Sequence, residues 1–344
     1  MPTAPTAPRA GRDWRAWAPY ALALVLAVVL VAVTVSRSGP SKAAQAALGD
    51  QQLQIMAPAD PGGGWDGTAR AMQDALQDIV GRSEVYNVGG AGGTIGLSQF
   101  AQLDGQSNQL MVMGLVMVGA IAANDPDVDL TEVTPIAQLV TEDELIVVPA
   151  DSDIQDVAGL VDALESDIGA VSWAGGSAGG AEQILAGLIA TSLGLKGGDV
   201  NYIAHSGGGE AVATLLSGSA TVGLSGVSEF VPQIDAGKLR PIAVAGPERV
   251  DALPDVPTLQ EAGVDVELTN WRGVVAPKGI TDKQRDALED LITQMIDSDS
   301  WADALDREGW TDAGTGAEEF GDFIVSEQER VDKIVDELGI GKVS

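Results

Sequence analysis

The chain lacks cysteine, has a single histidine and only 4% aromatic residues, and carries 19 lysines and arginines against 50 acidic residues in 344. Without cysteine there are no disulfides, thiolate metal sites, iron–sulfur clusters, cysteine nucleophiles or cysteine-linked lipids. A lone histidine, His205, argues against a histidine-built zinc centre, and neither metal nor cofactor is expected. The formal charge of −31 repels phosphate backbones at long range, which speaks against a nucleic-acid partner. The 43 glycines show no period of three, and 45% apolar residues in recurring Leu-rich and β-branched runs exclude collagen-like and disordered chains.

What is present begins with a distinct N-terminal segment, residues 1–50. Arg9, Arg12 and Arg15 precede an uncharged run of 21 residues, Ala16 to Ser36, the pattern of an export signal whose basic side stays cytoplasmic. The rest of the chain is therefore expected outside the cytoplasm, in the periplasm or on the outer face of the membrane. Ala44-Gln45-Ala46 fits a small-residue cleavage site, yet the run is nearly long enough to span a bilayer, so cleavage and permanent anchoring by an N-terminal hydrophobic helix both stay open. Beyond Ala46 the chain holds 14 basic and 49 acidic residues, so any anionic ligand must be held by local dipoles against the overall field.

From Leu53 onward short apolar runs alternate with helical periodicity, which predicts an α/β protein with largely parallel sheets. Strands are expected at 53–57, 85–88, 109–114, 168–173, 200–204, 220–224 and 239–245, and the C-terminal part reads as helices over 281–296, 301–308 and 317–338. Such a length favours two lobes over one core. With no linker visible, the chain is expected to cross between them more than once, through short strands such as 145–148 and 242–245. The resulting division is 51–146 plus 246–344 for one lobe and 147–245 for the other, with a ligand cleft between.

Four times a strand runs into a glycine-rich turn and then a helix: Pro61-Gly62-Gly63-Gly64, Gly89-Gly90-Ala91-Gly92-Gly93-Thr94, Gly175-Gly176-Ser177-Ala178-Gly179-Gly180 and Ser206-Gly207-Gly208-Gly209. Helix starts have unsatisfied N–H donors and a partial positive charge, and glycine lets a ligand come close to the backbone. A hydrogen bond to a charged acceptor contributes about 1.5–3 kcal/mol, so several such donors can hold a carboxylate without arginine. Asp66 can orient a ligand or cap its helix, and Arg70 and Arg272 are candidate anion contacts. Trp65 and Trp173 flank two of the turns.

Two catalytic patterns are also present. Gly62, Gly64 and Gly67 satisfy G-x-G-x-x-G, but a ribose-binding acid should end the second strand, where Val88 and Gly89 stand, and Glu84 lies at its start. Gly175-Gly176-Ser177-Ala178-Gly179 matches G-x-S-x-G, which makes a secreted serine hydrolase using Ser177 and His205 the rival reading.

The first glycine turn with Asp66, the Gly90-Ala91-Gly92-Gly93-Thr94-Ile95-Gly96 segment and the run Asp251-Ala252-Leu253-Pro254-Asp255-Val256-Pro257-Thr258-Leu259-Gln260-Glu261-Ala262-Gly263 occur in that order. Together they resemble the substrate-binding receptors of tripartite tricarboxylate transporters, the Bug family, over roughly residues 53–323. The resemblance implies a type II periplasmic-binding-protein fold whose two lobes close on a small di- or tricarboxylate. It further implies a non-enzymatic receptor, expected as a monomer, that delivers its ligand to a two-subunit membrane permease or informs a membrane signalling partner. By position it implies ligand contacts from Gly62, Gly63, Gly64, Asp66, Gly92, Gly93, Thr94, Ser177 and Gly179, with Ser206 and Gly207 of the fourth turn added. Many members differ from this chain around residues 203–207 and at Ser225. The Gly207-Gly208-Gly209-Glu210-Ala211-Val212 and Asn270-Trp271-Arg272-Gly273 stretches are closer to the tricarboxylate receptors, favouring citrate-like ligands.

Overall fold

The computed structural model describes residues 42–205 and 208–340. The export segment and the Ser206-Gly207 pair lie outside the described residues. Among the described residues no helix is long and apolar enough to cross a membrane.

After a short helix α1 (Lys42–Leu48), the first half of the fold alternates β1 (Leu53–Ala57), α2 (Gly64–Val80), β2 (Ser83–Asn87), α3 (Thr94–Phe100), β3 (Gln109–Gly114) and α4 (Leu115–Asn124). Strands β2, β1 and β3 pair in parallel, as βα crossovers require. The chain then enters β4 (Val133–Pro149), a strand of 17 residues. The second half adds α5 (Val157–Ser166), β5 (Ser172–Gly175), α6 (Ala181–Ser192), β6 (Asn201–Ala204), α7 (Gly208–Leu216), β7 (Val222–Gly226), α8 (Val227–Asp235) and β8 (Leu239–Val244). A return through residues 245–268 leads to β9 (Thr269–Pro277), α9 (Asp282–Ile296), α10 (Asp299–Glu308), β10 (Thr311–Thr315) and α11 (Ala317–Leu338).

The sheet is mixed, which corrects the expectation of largely parallel pairing. Strand β4 runs antiparallel to β9 and β10 along residues 133–143, then antiparallel to β7 and β8 along 144–149. One continuous strand thus belongs to both half-sheets, and because it carries the chain outward and β9 carries it back, the two must run in opposite directions. The sequence reading registered only 145–148 of this strand. Its apolar stretches are interrupted by Thr141-Glu142-Asp143-Glu144, which breaks the pattern of a buried strand.

Two helices tie the halves together on the outer side. On the face of β9 opposite Arg272, Trp271 packs edge-on against Phe320 and Phe323 of α11, with centroids 5.9 and 5.0 Å away, and its indole N–H donates to Glu327 Oε2 at 2.8 Å. At the other end of α11, Leu338 packs against Gly187 of α6 and Gly197, where any Cβ would collide with it. Helix α4 lies directly on the start of α6, with Gly119 against Gly179.

Candidate functional site

In both half-sheets the parallel strands end on the same side, and their glycine turns surround one cavity of about 410 Å³. The carboxyl ends of parallel strands are where open α/β sheets bind ligands, and the volume suits a small solute. Pro58–Asp60 with Gly63 and Gly64 follow β1, Gly90–Gly93 follow β2, and Gly176–Ala178 follow β5. Gly208 opens α7, and Gly226 closes β7. The helix starts at Gly63 of α2 and Gly180 of α6 have no side-chain cap.

Of the predicted contacts, Gly63, Gly64, Gly92, Gly93 and Ser177 line the cavity. Gly62, Asp66, Thr94 and Gly179 are not among its lining residues, and they brace the turns from behind. Asp66, 4% exposed, lies in the first turn of α2, whose cap position is Gly63; it accepts the Gly62 N–H and Arg70 Nε at 2.9 Å each and Asn87 Nδ2 at 2.9 Å. Burial works to raise its pKa, but these hydrogen bonds outweigh it and hold the carboxyl below its ordinary value. Thr94 Oγ1 donates to Ala91 O at 2.9 Å. Gly179, at φ +77°, donates its N–H to Gln183 Oε1 at 2.7 Å and presses on Ala123 of α4. Even on the rim some amides are committed, Gly93 to Gly90 O and Gly63 to Asp60 O. Ser206 and Gly207 fall outside the described residues.

The inner wall comes from residues that sequence reasoning passed over. Glu142 and Glu144 project to one face of β4, because successive side chains on a strand alternate. Asn270 and Arg272 do the same on β9, while Glu182 and Glu229 stand in the first turns of α6 and α8. All six line the cavity. Arg272, 6% exposed, pairs with Glu142, lies with its guanidinium carbon 5.3 Å from the Trp310 ring centroid, and packs against Gly64. Ser228 Oγ donates to Glu142 Oε1 at 3.1 Å, and Ser225 Oγ donates to Glu229. Several turn glycines make room for these carboxylates: a Cβ at Gly176 would fall 2.5 Å from Glu182 Oε1, and one at Gly226 would overlap Glu142. The glycines therefore serve the protein's own acids as well as any ligand. Acids in the first turn were the available signal, since a carboxylate there complements the helix dipole that would otherwise face the cavity.

Burial raises Glu144 well above its ordinary value, helped by the nearby Glu182 and Glu142 charges. Burial likewise raises Glu182 to about 7, although hydrogen bonds from its own amide and from Gly176 oppose the shift. Glu229 is raised by burial as well.

The sequence model of the tripartite tricarboxylate transporter family receptors matches residues 68–340. The chain belongs to this family. The receptor is 27% identical over 316 residues to the UPF0065 protein in the tcbD-tcbE intergenic region of Pseudomonas sp. (strain P51), covering 90% of this chain and 93% of that one. It is also 27% identical to protein BugT of Bordetella pertussis, covering 83% and 89%. Among solved structures, Rpa4515 of R. palustris with adipate superposes with a TM-score of 0.77 at 22% identity, covering 85% of the receptor and 99% of that chain. MatC (Rpa3494) of Rhodopseudomonas palustris with bound malate gives 0.75 at 23%, covering 84% and 100%. These likenesses establish the mixed α/β periplasmic-binding-protein fold, and membership of the family makes the chain an extracytoplasmic solute-binding receptor.

The hydrolase arrangement finds no geometric support in the receptor. His205 Nε2 sits 3.1 Å from Thr214 Oγ1 and Nδ1 lies 3.9 Å from Glu210, so both ring nitrogens face partners other than Ser177.

Two outcomes follow from the buried charges. Replacing Arg272 by Met strands Glu142 in the interior, and breaking such a pair costs about 3–5 kcal/mol. Urea unfolding of Arg272→Met should show a loss of that order, with most of it regained in Glu142→Gln/Arg272→Met; equal losses in both would contradict the pairing. For Glu182, the folded chain keeps a proton between the ordinary value of 4.5 and about 7 that the unfolded chain has released. Stability from this group therefore falls as pH rises through that window and is fully lost above it. The melting temperature of Glu182→Gln should gain on wild type across the same window, and a pH-independent difference would contradict a raised Glu182.

Proposed function

We propose that the receptor captures a small carboxylate-bearing solute between its half-sheets and presents it to a two-subunit membrane permease, acting by binding without catalysis. Residues 51–146 with 246–344 form one lobe and 147–245 the other, joined by β4 and the return through 245–268, with residues 1–50 as the export or anchoring segment. Gly63, Gly64, Gly92, Gly93 and Ser177 form the carboxylate end of the site.

The observation that carries this reading is the convergence of glycine turns from both half-sheets on one cavity, where the starts of α2 and α6 have no side-chain cap although each has one acid, Asp66 or Glu182, in its first turn. The fold neighbours solved with malate and with adipate support a small organic acid as the solute class. A citrate-like trianion fits the charges poorly, since five glutamates and Asp60 line the cavity and its arginine is already paired. One carboxylate at the glycine rim suits this charge balance.

Titration calorimetry of the full-length protein in mild detergent against mono-, di- and tricarboxylates should find at least one micromolar ligand. Ser177→Ala should weaken it about tenfold, equivalent to about 1.4 kcal/mol. Small-angle scattering should show a smaller radius of gyration on saturation as the lobes close. An absence of heat from every acid at millimolar concentration would contradict carboxylate capture, and superimposable scattering curves would contradict closure.

A further inference from the structure

Carboxylate capture employs the glycine rim of the cavity and leaves its acidic wall without a purpose. Glu144 is 1% exposed and Glu182 8%; both line the cavity, and in each the Oε2 atom is buried without a hydrogen-bond partner. The remainder of each carboxylate is supplied: Asn270 Nδ2 donates to Glu144 Oε1 at 3.0 Å, and the Gly176 amide donates to Glu182. Buried polar atoms in folded proteins are normally satisfied, so two orphan acceptors on one cavity wall point to a donor that arrives with the ligand.

We propose that the solute carries a protonated primary amine in addition to its carboxylate, and that its ammonium group donates to Glu144 Oε2 and Glu182 Oε2. This rests on the cavity being the solute site. An ammonium group brings three N–H donors and one positive charge together, and it offers no acceptor. A carboxylate in the same place would bring only acceptors and further negative charge, and could be met only by glutamates that hold their protons, whereas an ammonium group matches their ionised form. Glu142 and Glu229 add to the negative field, and Arg272, the one Lys or Arg among the described lining residues, is held by Glu142. Burial is the main cause of the upward shifts of Glu144 and Glu182, neighbouring carboxylate charges add to it, and a cationic ligand would oppose that added part. A metal ion is a poorer occupant, because among the described residues no group of three acidic or histidine side chains is arranged to hold one. With the ammonium on the wall built by β4 and α6, and the carboxylate between Ser177 and the turns after β1 and β2, the solute spans both half-sheets.

Matched pairs that differ only in the amine test this: butyrate against 4-aminobutyrate, succinate against aspartate and glutarate against glutamate, with 1,4-diaminobutane and calcium chloride alongside. Calorimetry uses the full-length protein in mild detergent. At least one aminated acid should bind 100-fold more tightly than its partner, and Glu144→Gln or Glu182→Gln should weaken it at least tenfold without weakening the unaminated acid. Should Glu144→Gln fail to fold, Glu182→Gln at the helix start carries the comparison. Unaminated acids binding as tightly as their aminated partners would overturn the ammonium seat and leave carboxylate capture standing. Heat from the diamine alone would uphold the seat and overturn the carboxylate end. Displacement of the amine by calcium would overturn an organic cation as the natural occupant, and silence from every probe would overturn both proposals.

Discussion

Among the described lining residues a single guanidinium, Arg272, stands with three buried glutamates and the half-buried Glu229 at the place where the chain passes between half-sheets, and the rest of the site is arranged around that imbalance. The ion pair with Glu142 joins neighbouring strands β4 and β9, the two that carry the chain out and back. A buried pair of this kind gives little net stability, because desolvation of both ions offsets their attraction. What it does is fix which side chains face the cavity. Arg272 is tied to Glu142, the hydroxyls of Ser228 and Ser225 serve Glu142 and Glu229, and Glu144 and Glu182 are each left with a buried oxygen that has no partner.

The glycine turns acquire a double meaning in this light. Glycine at a helix start allows close approach, and some of the groups that approach are the protein's own: Arg272 against Gly64, Glu182 against Gly176, Glu142 against Gly226 and Glu229 against Gly208. At α6, α7 and α8 part of the positive end of the helix dipole is met by a carboxylate in the first turn, Glu182, Glu210 and Glu229, while α3 has none. The supply of free amides for an anionic ligand is smaller than a count of glycines suggests, since even on the rim formed after β1 and β2 Gly63 and Gly93 donate to Asp60 O and Gly90 O. One carboxylate can be held there, while several would collide with the field of the wall.

Much of this fold was legible in the amino-acid pattern, because elements whose faces are uniformly buried or cleanly amphipathic announce themselves. Strands β1 and β3, the helix from Ala181 and the C-terminal helix Ala317–Leu338 lie where periodicity puts them, and Thr281 caps α9 in a full capping box with Gln284. The long strand β4 was illegible for a physical reason: its central residues face a polar cavity, so Glu142 and Glu144 interrupt the apolar run that would have marked it. Strand β9 was hidden similarly by Asn270 and Arg272. The glycine turns could be found because a tight turn demands a residue type, whereas the acidic wall depends on four side chains from distant segments that only the folded topology brings together. Asp66, plausible as a ligand contact by position, turns out to be occupied with Gly62, Arg70 and Asn87.

The proposed solute is oriented, its acid end on the glycine rim and its cationic end on the glutamates. A high-resolution crystal structure of the protein as purified, with whatever solute accompanies it, tests this most directly. It should show density bridging the Gly63–Gly64 and Gly92–Gly93 turns to a nitrogen within hydrogen-bonding distance of Glu144 Oε2 and Glu182 Oε2. Density with carboxylate oxygens against those two glutamates, or a solute bound outside the cavity altogether, would contradict it.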